Sequence, residues 1–225
     1  MPEIRRSPST QELPSVLPVF PLPGVLLLPG TQLPLNIFEP RYLNMVDDAL
    51  RNDRIIGMIQ PSQSVTEHLV PEDIELCEVG CAGRLTQFSE TDDGRYLITL
   101  TGRQRFRVLS ELEPINGYRR VAPDYGPFMN DIGAMVSGKI REKGKLIEAM
   151  EVYFDARGIS ADKDAIAAAP DAVLVNTLAM SCPFEPQEKQ ALLECAGVAE
   201  RADFLLELFL FAAHGGTTPP TDTRQ

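Results

Sequence analysis

The stretch "LPVFPLPGVLLLPGTQLPLNIFEPRYLNMVDDAL", residues 17–50, decides how this chain is read. Two short apolar segments, 16–20 and 33–38, have the composition of strands, and the Pro/Gly-rich loop 21–32 between them has few accessible shapes. Leu26, Leu27 and Leu28 stand in that loop. Three consecutive leucines cannot all face one side of a sheet, so at least one must meet a second surface, either another part of the chain or a ligand. At Pro40 the pattern changes: proline suits a first helical turn, and Tyr42, Leu43, Met45, Val46, Ala49 and Leu50 recur on one broad face. The reading is strand, stiff loop, strand, helix.

Outward from there, "IIGMIQ" (55–60), "IELCEVGCAGRLTQF" (74–88) and "RYLITLTG" (95–102) are further strands, the last two joined by a tight turn at "SETDDG" (89–94). "RQRFRVL" (103–109) alternates strictly, which puts Arg103, Arg105 and Arg107 on one strand face, read as solvated and balanced by neighbouring acids. Asp47–Asp48 and Asp92–Asp93 read as solubilising pairs on a helix face and in a turn. Past about residue 125 the period becomes helical. One long helix is expected from Asp131 to about Gly158, with Gly144 its weak point, then helices at 162–168, 170–180, 186–196 and 198–213. The last is apolar almost all round and must be covered on more than one side, by its own chain or by a second copy. The expected architecture is α+β: a mostly antiparallel β pseudo-barrel with one helix over 13–125, then a helical bundle over 126–213. Flexible ends are expected at 1–12 and 214–225.

With 225 residues and 44% hydrophobic content the chain can bury a sizeable core without a disulfide or metal staple. Cys77, Cys81, Cys182 and Cys195 form no dense framework, the first residues do not spell a secretory signal, prolines at 18, 21, 23 and 29 break the most apolar early stretch, and no run approaches the ~20 residues of a membrane span, so a reduced, cytoplasmic, membrane-free protein is expected. The net charge of −11 is spread over both halves, which argues against a nucleic-acid partner, since such binding draws on clustered Lys and Arg.

No motif carries catalysis. "GAMVSGKI" (133–140) fits a phosphate loop until its last position, where Ile140 stands in place of the hydroxyl that would hold magnesium. Cys77 and Cys81 on one strand would lie roughly 13 Å apart, too far to share an ion easily. His68 and His214, the two histidines, fall in a polar loop and a tail and offer no base for a Ser-His or Cys-His site; Ser137 and Lys139 point apart on a helix. No catalytic, metal or cofactor residue is assigned.

Three stretches, 17–50, "GMIQP" (57–61) and "VGCAGRLTQFSETDDGRYLITLTGRQRFRV" (79–108), resemble in order and spacing the Lon protease N-terminal domain family. The resemblance is carried by Leu17 through Phe20, Pro23, Pro29-Gly30, Leu33-Pro34, the run Phe38-Glu39-Pro40-Arg41-Tyr42, then Asp93-Gly94-Arg95, Gly102 and Arg105-Phe106. It continues more weakly through "EKQALLE" (188–194) and the spacing after Arg201, about 13–213 in all. It implies a PUA-like β half, a helical half, and recognition of unfolded or exposed polypeptide segments without ATPase or peptidase parts, as an adaptor or chaperone-like factor of protein quality control. On that basis Leu26, Leu27, Leu28, Phe38, Arg41 and Tyr42 are the candidate polypeptide-binding residues. Two other readings stay open: a scaffold that self-associates through its last helix, and an RNA-binding module using the arginine stripe.

Overall fold

The computed structural model describes residues 13–63, 73–131 and 139–213. Six strands make one sheet: β1 (Leu17–Pro21), β2 (Gln32–Ile37), β3 (Ile55–Ile59), β4 (Val79–Glu90), β5 (Tyr96–Ile115) and β6 (Tyr118–Asp124), in the order β2-β5-β4-β3-β1-β6. β1 and β3 run parallel; every other pairing is antiparallel. β5 is long enough to serve twice. Its first part pairs with β2 and β4, and its later part pairs with β6, which closes β1, β3, β4, β5 and β6 into a ring. One 20-residue strand thus replaces the two expected at 95–102 and 103–109. β6 is a strand beyond those expected, and "NG" at 116–117 makes its hairpin: Asn116 and Gly117 both take positive φ, as a tight two-residue turn requires.

The ring is filled by side chains. Leu17, Val19, Ile55, Ile59, Ala82, Phe106 and Val121 form its interior, and Phe106 is fully buried there. Room for that ring comes from Gly80, where a Cβ would stand 2.5 Å from Phe106. β2 lies outside the ring as an edge strand. Gly102 N–H donates to Thr31 O (2.9 Å), and alternation along the register then bonds Leu33, Leu35 and Ile37 to β5 while turning the backbone polar groups of Gln32, Pro34 and Asn36 to the open side. Pro34 therefore lacks its N–H where a passing strand would seek it, which blunts the edge.

Helix α1 (Pro40–Arg51) opens on Pro40 at its first position and buries Tyr42, Met45, Val46 and Ala49 against the sheet. Its acids do more than solubilise: Asp48 accepts hydrogen bonds from Asn116 Nδ2 (2.8 Å) and Tyr118 Oη (2.9 Å), and Asp47 accepts one from Tyr96 Oη (3.2 Å). These tether the helix to two strands. After the 3-10 turn at Gly126–Phe128 come α2 (Lys143–Arg157), α3 (Lys163–Ala168), α4 (Asp171–Ser181), α5 (Pro186–Glu194) and α6 (Val198–Ala213). The expected long helix from Asp131 is not continuous. Lys139 to Glu142 are non-helical, with Asp171 accepting from the Ile140 N–H (2.9 Å), and α2 ends on Gly158 with φ 65°. The phosphate-loop-like stretch and Ser137 lie outside the described residues or at their margin.

The helices share a core with the outer wall of the ring. Leu146, Met150, Tyr153, Leu178, Leu192, Leu205 and Phe209 belong to the same apolar cluster as Leu27, Val46, Ile56 and Leu100. The covered side of α6 is broad: Val198, Arg201, Ala202, Leu205 and Phe209 are buried and Phe204, Leu206, Leu208 and Ala212 are half-buried against the same core, while Phe211 is 68% exposed.

Candidate functional site

The six residues singled out in the sequence do not form one surface. Leu26, Leu27 and Leu28 are all core residues, at most 3% exposed. They plug the seam between ring and helices, and the backbone at Leu28 comes so close to Gly102 that a side chain there would meet the Leu28 carbonyl oxygen. None of the three is available to a ligand in this arrangement. Tyr42 is buried too, its ring 4.2 Å from that of Phe20, and burial raises its pKa. Arg41 is held by Glu39 (Nε to Oε2, 2.9 Å). Phe38 alone is open, 54% exposed.

Around Phe38 a tract does exist. Leu97, 47% exposed, is opposite Asn36 in the register, so Phe38 lies diagonally from it on the outer face of β2 and β5. Followed back along β2 past Pro34, that tract reaches a groove of 320 Å³ between the stiff loop and α4, lined by Pro29, Gly30, Thr31 and Gln32 on one side and Ala172, Val173, Asn176, Thr177, Met180 and Ser181 on the other. The lining has no charged side chain. A second groove, of 420 Å³, lies between α5 and α6 and is of opposite character, with Glu194, Glu200, Asp203 and Glu207 around Phe204.

Buried polar groups that the sequence does not distinguish from surface ones tie the helical half to the ring. The stripe places Arg105 on a solvated face with Arg103 and Arg107; those two are exposed, but Arg105 is 3% exposed because Asp131 and the end of α5 cover its side of β5. It forms a two-pronged pair with Asp131 (2.8 and 3.0 Å) and donates through Nη1 to the carbonyls of Leu193 (2.7 Å) and Cys195 (2.6 Å) at the end of α5. Arg201 completes that end, donating through Nε to Leu192 O (2.8 Å). Two guanidiniums thus satisfy carbonyls that a helix leaves without partners, at the end where its dipole favours positive charge. Burial, helped by the neighbouring Arg105 charge, pushes Arg201 down to about 10, still cationic at neutral pH. Gln60 bridges the same seam: its Oε1 accepts from the Gly24 N–H (2.9 Å) and its Nε2 donates to Pro186 O (3.0 Å) and to Gln190 Oε1 (3.2 Å). Gln60 stands in the quoted "GMIQP", but polarity alone does not separate a buried bridge from a strand end at the surface.

Among the described residues no group of three or more His, Cys, Asp and Glu is placed to hold a metal ion. The thiols are poor nucleophiles, burial pushing Cys77 up to about 11 and Cys182 up to about 12. No helix among the described residues is long and apolar enough to cross a membrane.

Comparison with known proteins agrees with this architecture. The family model of the ATP-dependent protease La (LON) substrate-binding domain matches residues 16–210. A Lon protease of Cytophaga hutchinsonii is 24% identical over 215 residues, which is 92% of this chain and 25% of that protein. Lon protease 2 of Sorangium cellulosum is 35% identical over 113 residues, 48% of this chain and 14% of that protein. The chain spans about a quarter of the length of such relatives. Two solved structures share the fold: a Lon N-terminal domain protein from Xanthomonas campestris (TM-score 0.60, 23% identity, 85% of this chain and 97% of that one) and the N-terminal domain of a Mycobacterium avium complex Lon protease (TM-score 0.62, 14% identity, 87% and 98%). With its ring of strands, its helical half and a family model covering nearly all the described residues, this chain belongs to the Lon substrate-binding domain family.

Proposed function

We propose that this chain captures exposed, apolar segments of other polypeptides, without cleaving them, as an adaptor or chaperone-like factor of protein quality control. The observation that carries the reading is the uncharged tract from the loop–α4 groove along β2 to Phe38 and Leu97. A strip in which Pro34, Phe38 and Leu97 alternate with the uncharged polar residues Gln32 and Asn36, and which has an uncharged groove at one end, suits a segment that would otherwise be buried in a folded protein, since contact at Phe38 and Leu97 removes apolar surface from water on both partners. The family's name supports polypeptide binding, and hydrolysis in Lon proteases is a property of chains about four times the length of the part matched here.

The test is fluorescence anisotropy with a labelled, reduced and carboxymethylated model protein, which stays unfolded. Phe38→Asp combined with Leu97→Asp should weaken binding at least tenfold while leaving the thermal midpoint within a few degrees, because both residues are on the surface. Equal affinities would remove the tract from consideration. Casein should remain intact with and without ATP. A second reading, self-association through the outer face of α6, is favoured by Phe211 at 68% exposure; a molar mass equal to that of one chain at every concentration in light scattering would dismiss it.

A further inference from the structure

We infer that the loop–α4 groove reads the main chain of its polypeptide rather than its charges, with Asn176 as a hydrogen-bond donor that the buried Arg201 aims into it. This rests on the polypeptide-capture reading and names how that site would select.

Asn176 interrupts the apolar helix sequence "AVLVNTLAM" (172–180), on the part of α4 that lines the groove. Its amide orientation is fixed by chemistry. Arg201, 4% exposed, donates from Nη1 to Asn176 Oδ1 at 3.1 Å, and a guanidinium has no acceptor, so the oxygen must be the end facing it. Nδ2, with two N–H groups, is thereby turned away from Arg201. It is a donor set in place before any ligand arrives, and a peptide carbonyl is the acceptor every residue of a ligand offers.

The opposite wall complements this. Gln32 is the first residue of the open β2 edge, and the alternation with β5 turns its N–H and C=O outward. The Thr31 hydroxyl is spent within its own loop, donating to Leu28 O and accepting from the Leu28 N–H, so it does not compete. Pro34 then ends the run of donors two residues on. A short extended segment can therefore bond on one side to Gln32 and on the other to Asn176, but it cannot extend into a full added strand. The occupant is a few residues of extended, uncharged polypeptide. A basic segment would instead favour the acidic groove between α5 and α6.

Binding of a blocked, fluorescein-labelled decapeptide of Val, Ala, Ser and Gln separates the outcomes. Asn176→Asp keeps an acceptor for Arg201, and so keeps the fold, but has no N–H to offer. Binding about tenfold weaker than wild type is expected, the scale of one lost hydrogen bond, with the thermal midpoint unchanged or raised. Asn176→Gln should recover part of the affinity, and wild-type binding should hardly change with salt. If wild type binds the peptide and Asn176→Asp binds it equally, the role of Asn176 is overturned while polypeptide capture stands. If a lysine-containing version binds more tightly in a salt-sensitive manner, main-chain reading is overturned in favour of the acidic groove. If wild type binds none of these peptides and not the unfolded protein either, the capture reading itself fails.

Discussion

The strand ring and the helical half are stabilised differently. The ring has an interior of its own, seven side chains all supplied by strands, and its edges are closed by the double use of β5. The helices have no such private core: their buried residues join α1, the three leucines and the outer wall of the ring in one cluster, and the end of α5 depends on two arginines, one of them from β5. The ring is therefore a platform and the helices are built upon it. The loop–α4 groove lies where the two meet, so its shape depends on the seam rather than on either half.

Three changes break or sharpen that contrast. The largest effect should come from Arg105→Ala, which takes the guanidinium from the Asp131 carboxylate and from the Leu193 and Cys195 carbonyls of the α5 end; removing one partner of a buried pair costs about 3–5 kcal/mol. Hydrogen exchange should show protection lost in α4 to α6 while β1, β3 and β4 keep theirs. Uniform loss would mean that the halves unfold as one, and the platform picture would fail. Adding Asp131→Leu to Arg105→Met should recover much of the stability, since the carboxylate is then gone as well.

Next is Leu28→Ala, fully buried in the seam, with an expected cost of roughly 2–5 kcal/mol by chemical denaturation. Its effect on peptide binding should exceed that of an equally destabilising change inside the ring, such as Val121→Ala, because only the former loosens the groove. Equal effects would detach the groove from the seam.

The smallest concerns acid. Hydrogen bonds from Asn116 and Tyr118, with Arg51 nearby, hold the Asp48 carboxyl below its usual value of 3.8. A depressed folded pKa means that the contribution is complete above the unfolded value and disappears as pH falls through the folded one. Thermal midpoints measured from pH 5 down to pH 2 should therefore fall less steeply in Asp48→Asn than in the wild type. Identical slopes would show that this tether of α1 to the β5–β6 hairpin is not linked to pH.

Tyr42, Met45, Val46 and Ala49 show why much of the fold was legible: a one-sided helix betrays its buried face by spacing, and the same logic placed the strands of the first half and most of the later helices. The local signal for β6 is a single dipeptide, Asn116-Gly117, and its burial depends on pairing with β1 about a hundred residues away. The break before α2 was harder to see, because apolar spacing persists across it while the backbone at Ile140 is bonded to Asp171 instead of to its own helix.

The sequence by itself determined the family, the α+β order and the stiffness of the leucine loop, since these follow from local composition and from spacing along the chain. Only the tertiary structure decided which arginine is inside, that all three leucines are sealed in the seam, and that Asn176, Gln32 and Phe38 border one tract. Those are questions of which distant surfaces meet. A polar residue at the surface and one satisfied in the interior look identical in a linear pattern until the partner that satisfies it, here more than twenty residues away for both Arg105 and Asn176, is brought beside it.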